Sequence, residues 1–158
     1  MVSPSKMIIS VSFISAFILS AVPMPWFFSI VNIPWVAVVL AYWCVTAPEK
    51  MGVISAWLIG LLFDILNGAV LGQHGLGFAL VAYLSIFYQH RFKFAPPVQQ
   101  VIFITLVILL YRGLTWQIYD SFGTVIYRSD YIWSAFSAPV VWIVLTVAFS
   151  GHLHKNSL

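Results

Sequence analysis

Charge is what this sequence has least of. Four acidic and seven Lys or Arg residues make 7% of a 158-residue chain that is 62% apolar, where a soluble domain carries roughly 25% charge. So few charges cannot clothe a domain of this size in water, and a mean hydropathy of +1.01 makes the bilayer its natural solvent. The chain also lacks polar tracts, a glycine period and charged heptads, which excludes disorder, collagen and a coiled coil. Cys44 is the only cysteine, so no internal disulfide and no thiolate metal site can form, and it reads as a small buried apolar side chain. Seven basic residues scattered over the whole length leave no nucleic-acid footprint despite a net charge of +3.

What is there is a succession of apolar runs. A crossing of about 30 Å of hydrocarbon takes around 20 helical residues. The expected architecture is all-α, a single membrane domain over 1–158 with six spans at about 7–22, 33–47, 51–71, 76–90, 98–119 and 131–149. Pro23, Pro25 and Trp26 stop the first span. A cleaved signal peptide is the rival reading there, but Pro23 sits where cleavage is expected. The second run is short: either it is shielded by its neighbours, or it begins near Phe27 and bends at Pro34. A glycine-rich segment from Gly68 to Gly77 leads into the fourth span, Pro96 and Pro97 open the fifth, and Asp120 to Asp130 separates fifth from sixth. Trp26, Trp35, Trp116 and Trp133 fall near span ends, as interfacial tryptophans do. Sorted by these spans, Lys6, Lys50, Arg91, Lys93 and Lys155 share one face and Arg128 takes the other. The positive-inside rule then places both termini in the cytoplasm.

Two charges fall inside spans, Asp64 and Arg112. An ionisable group at that depth is costly and marks a functional-site candidate. Each lies about 20 Å along a helix entering from the cytoplasmic face, so the two are expected at one level in the outer half of the membrane. They are candidates for an intramembrane pair; the plainer readings are an Arg112 that snorkels outward and an Asp64 bonded to Asn67 or a helix end.

Around Asp64 a second pattern runs: Gly52, Ala56, Gly60, Asp64, Gly68 and Gly72 recur at four-residue spacing. Residues at i and i+4 form one ridge, and small ones let a second backbone approach closely, so the five small residues form a candidate seam for packing or for a partner. Alternatively Gly68 and Gly72 belong to the following loop, leaving a shorter seam. Ser12, Ala16 and Ser20 repeat the spacing on the first helix, a second docking candidate.

Catalytic groups are scarce. His74, His90, His152 and His154 are not spaced with a carboxylate as a hydrolytic metal site needs, and His74 reads as a solvated or capping residue of an outer loop. Four carboxylates offer no acid–base pair, and no phosphate-cradling loop exists. The chain reads as non-enzymatic, with no cofactor.

The run Pro34-Trp35, Tyr42-Trp43, Pro48, Gly52, Gly60, Asp64, Gly68 and Leu71-Gly72 resembles the signature region of the rod-shape-determining membrane protein family MreD. The likeness is sharpest over about 33–84 and rests on hydropathy beyond. It implies a multi-pass subunit of the bacterial inner membrane, in the elongation machinery with MreC, the actin homologue MreB and the peptidoglycan synthases of side-wall growth. The family supplies no catalytic residues to carry over. Its fold is in turn similar to the substrate-binding subunits of energy-coupling vitamin transporters, six-helix proteins that dock through small residues on helix one, which Ser12, Ala16 and Ser20 also fit. A ligand-binding transport component is therefore the alternative, with Asn67, Gln73, His74 and Asp120 as its few outer polar candidates.

Overall fold

A computed structural model describes residues 6–22, 33–121 and 128–148. Those residues form six helices: α1 Lys6–Ala21, α2 Trp35–Thr46, α3 Val53–Asn67, α4 Gln73–Phe94, α5 Pro97–Ser121 and α6 Arg128–Ala148. Pro23, Pro25, Trp26, His152, His154 and Lys155 lie outside the described residues.

The helix at the centre is α2. Its ten residues from Val36 to Val45 are all buried, so it is apolar all round because it has a neighbour all round. Its 12 residues reach only about 18 Å, less than a bilayer core. The short run is thus shielded by its neighbours, α1, α4, α5 and α6, and starts directly after Pro34. Cys44 is fully buried in it.

Side-chain pairs fix which helix ends lie together. Trp43 Nε1 donates to Ser12 Oγ at 2.8 Å, so the end of α2 meets the start of α1. At that same end Trp142 of α6 meets Tyr42 of α2 and Phe92 of α4, with ring centroids 5.8 and 5.1 Å apart. The Gln100 amide, early in α5, donates to the carbonyls of Phe92 and Ala95, tying off the last turn of α4. The opposite end is marked by Phe17 of α1 against Phe63 of α3 at 5.7 Å, and by Phe78 of α4 against Tyr111 of α5 at 5.5 Å. Lys6, Lys50 and Arg91 therefore belong to one end of the bundle, and Asp64 and Arg112 to the other.

The outer faces are apolar. Met7, Val11, Ile14 and Ile18 on α1, Ile54, Leu58, Leu62 and Ile65 on α3, and Ile102, Leu106 and Leu110 on α5 are all exposed at three- or four-residue intervals. Such stripes are amphipathicity turned inside out, a surface suited to lipid and not to water. Among the described residues α5 alone, with 25 residues, is long and apolar enough to cross a membrane by itself. Helices α1, α2, α3 and the stretch Phe136–Ala148 are apolar but shorter.

Candidate functional site

The site is the turn between α3 and α4 with the helix that packs on it. The chain leaves α3 through a left-handed Gly68, φ 62°. Ala69 N–H then reaches back to the Asp64 carbonyl at 3.0 Å and Gly68 N–H to Ile65 at 3.4 Å, the crossed pair of a Schellman stop. Gly72, φ 94°, stands at the N-cap of α4. A glycine there has no side chain with which to receive the free N–H groups of the first turn.

Asp64 supplies what that cap lacks. Its carboxylate is fully buried and accepts from Gly72 N–H (2.8 Å), His74 N–H (2.9 Å) and Gly75 N–H (3.3 Å). His74 Nδ1 lies 2.7 Å from the same carboxylate, within hydrogen-bond distance. A negative group at a helix N-terminus is also favoured by the dipole of α4. One residue thus ends α3 through its backbone carbonyl and starts α4 through its carboxylate.

His74 passes the contact on. Its ring lies edge-on to Phe63 at 4.9 Å and 6.2 Å from both Phe78 and Tyr111. The guanidinium of Arg112 sits 5.6 Å over the Tyr111 ring, within cation–π range, and its charge bears on His74. Arg112 is 8% exposed, and its carbonyl accepts from Thr115 Oγ1 at 2.9 Å. Asp64 and Arg112 therefore share one end of the bundle and are connected through His74 and Tyr111, while the side-chain hydrogen bonds of Asp64 go to the start of α4. Asn67 is elsewhere engaged, donating to the Phe63 carbonyl at 2.8 Å.

Several sequence expectations change here. His74 is not solvated: at 8% exposure it is buried, because the fourth helix begins at Gln73 and not at 76. Gly68 and Gly72 are turn residues with positive φ, so the ridge on α3 stops at Asp64. Gly52 is the N-cap of α3, where an added Cβ would meet nothing, and its N–H donates to Ser55 Oγ. Within the ridge, Ala56 is fully buried, and a Cβ on Gly60 would stand 2.5 Å from the Gly75 Cα. Gly60 therefore lies in backbone contact with α4. On α1, Ser12 accepts from Trp43 of α2, Ala16 is buried and Ser20 is half-buried.

Gly75 and Gly77 fall outside the four-residue period of α3. They stand two residues apart, about 200° around a helix, and so face opposite ways. Gly75 meets Gly60 of α3, while a Cβ on Gly77 would fall 2.5 Å from the Tyr111 ring of α5. The glycine-x-glycine spacing inside an apolar stretch was the available signal: it marks a helix gripped closely on two sides. Gln73, at the first position of α4, is 1% exposed, and among the described residues neither atom of its amide has a partner.

The family comparison now bears on this arrangement. The family model described as rod shape-determining protein MreD matches residues 2–150. This chain belongs to the MreD family. The Rod shape-determining protein MreD of Haemophilus influenzae is 26% identical over 130 residues, covering 82% of this chain and 80% of that protein. No solved structure matches. MreD is a family of shape-determining membrane proteins and not of known enzymes. The Asp64 carboxylate is committed to internal hydrogen bonds. Among the described residues no three His, Cys, Asp or Glu side chains gather as a metal site would need.

Proposed function

We propose that this chain is a non-catalytic subunit of the elongation complex in the bacterial inner membrane, crossing it six times with both termini cytoplasmic. In that complex it links the MreB cytoskeleton and MreC to the peptidoglycan synthases of side-wall growth, and so governs rod shape. Membership of the MreD family carries this reading. It is supported by apolar stripes on the outward helix faces and by the gathering of Lys6, Lys50 and Arg91 at one end of the bundle. It is supported too by the buried carboxylate, which ties α3 to the start of α4.

The test is replacement of the native gene, in a rod-shaped bacterium, by a tagged copy under control. Removal of the protein should make the cells round, and purification from native membrane should bring MreC with it. Rods that persist without the protein, or a preparation free of MreC, would overturn the adaptor reading. Specific retention of a vitamin-like ligand by the purified chain would favour the transport alternative instead.

A further inference from the structure

Helices α1 and α6 both lie against α2 and leave an open groove of about 530 Å³ between them. Met7, Val11 and Leu19 of α1 and Val144 of α6 form its walls, and Trp35 and Val39 of α2 its floor. The volume falls within the range of roughly 300–1,000 Å³ that small-molecule sites occupy. From Met7 to Leu19 the groove follows α1 for about 18 Å. That is close to the depth of one leaflet, half of a hydrocarbon core of about 30 Å.

The lining is apolar in effect as well as in composition. Ser12 and Ser15 border the groove, but Ser12 donates to the Ile9 carbonyl and accepts from Trp43, and Ser15 donates to the Ser12 carbonyl. With both hydroxyl hydrogens spent, an occupant is offered chiefly apolar contact. Among the described residues a charge stands at its end: Lys6, next to Met7, is exposed and makes no ion pair there.

We propose that the groove holds one acyl chain of an anionic phospholipid from the leaflet on the Lys6 side, with the Lys6 ammonium on its phosphate. Charge and length together select this occupant: among the described residues a cation stands at the Met7 end, and the apolar channel behind it is one leaflet deep. A partner helix fits less well. It is about 10 Å across and approaches closely only over small residues. Of the small residues that line the groove, Ala16 is 2% exposed and Ser12 half-buried at its bottom, while the exposed rim sets Met7, Val11, Leu19 and Val144 around the single small residue Ser15. The inference requires that the chain sit in a bilayer, not that it serve the elongation complex, and its test reads neither partners nor cell shape.

The full chain, purified in mild detergent, is offered phosphatidylglycerol or phosphatidylcholine and observed by native mass spectrometry. One phosphatidylglycerol should be retained, about fivefold over phosphatidylcholine, as expected for one Lys at a membrane surface. Lys6→Gln should bring the two lipids to equal retention. Val144→Trp fills the groove from its exposed rim and should remove both lipids; Val11→Trp, also exposed, repeats this from the other wall if the first variant does not fold. Equal retention of the two lipids by the unaltered chain, or unchanged retention in both tryptophan variants, would overturn the proposal. A photoreactive side chain at Val11 in native membranes should crosslink to lipid, and crosslinks to a protein helix would overturn it as well.

Discussion

At the scale of the residue, Asp64 is a cap delivered from a distance. Gly72 has no side chain for the first turn of α4, and the carboxylate eight positions earlier receives the N–H groups of Gly72, His74 and Gly75 together with the His74 ring. Asp64→Ala leaves several buried donors unpaired at about 1–3 kcal/mol each, so a loss of about 3 kcal/mol or more is expected. Asp64→Asn, which keeps one acceptor oxygen, should fall between. Thermal unfolding of the purified variants ranks them. Arg112 extends the test: through His74 and Tyr111 the two charges should be coupled, so Asp64→Ala and Arg112→Ala together should cost less than the sum of the single changes, by about 0.5–3 kcal/mol. Strict additivity would make snorkelling the better account of Arg112. Gln73 runs the other way. Its amide is buried with neither atom bonded among the described residues, so Gln73→Leu should raise the unfolding temperature, since an unpaired buried amide costs more than the apolar group replacing it. Asp64 and Arg112 were legible as candidates because a charge within an apolar run needs a reason. Their contacts were not legible, because Gln73, His74 and Gly75 lie in a segment whose glycines depress helix propensity and made it read as loop.

At the scale of the element, close approach is decided by what a side chain would strike. In lipid, helices associate by packing and not by hydrophobic burial, so the smallest residues mark the tightest contacts. Gly60 and Gly75 put the backbones of α3 and α4 together, and Gly77 admits the Tyr111 ring of α5. A methyl group on Gly60 meets backbone that has no flexible end to yield, so Gly60→Ala should already lower the yield of folded protein, and Gly60→Leu should abolish it. Leu62→Phe, on the exposed face of the same helix, should be mild. Equal accumulation of the three variants, measured by fluorescence-detected gel filtration, would remove this contact from the account. The four-residue period led to Gly60 because a ridge is a property of one helix. It could not name Gly75 as the opposing residue, nor separate Gly60 from Gly68 and Gly72, whose positive φ puts the same residue type to a different use. The length of α2 was similarly open in the sequence: a 12-residue helix can stop short of a full crossing when neighbours cover it on every side, which only packing decides.

At the scale of the whole molecule, the two ends differ in chemistry. One collects Lys6, Lys50 and Arg91 near the Trp43, Phe92 and Trp142 rings; the other holds the Asp64–His74 turn and Arg112. Charge counting groups Lys6, Lys50 and Arg91 on one face because each flanks an apolar run, and the positive-inside rule assigns such a face to the cytoplasm. That asymmetry turns the six-crossing proposal into a sided one. Single cysteines placed at 70 or 71, in the turn after α3, should react with a membrane-impermeant maleimide on intact spheroplasts. Cysteines at 95 or 96, between α4 and α5, should react only after the membrane is opened; Cys44, fully buried in α2, provides the silent background. The reverse pattern would invert the molecule. Labelling of both turns from outside would mean that α4, whose 22 residues reach about 33 Å, does not cross. The expected pattern would put the buried carboxylate in the outer half of the bilayer, where an uncapped helix start has little water to turn to, and that is the physical reason for Asp64 at that depth.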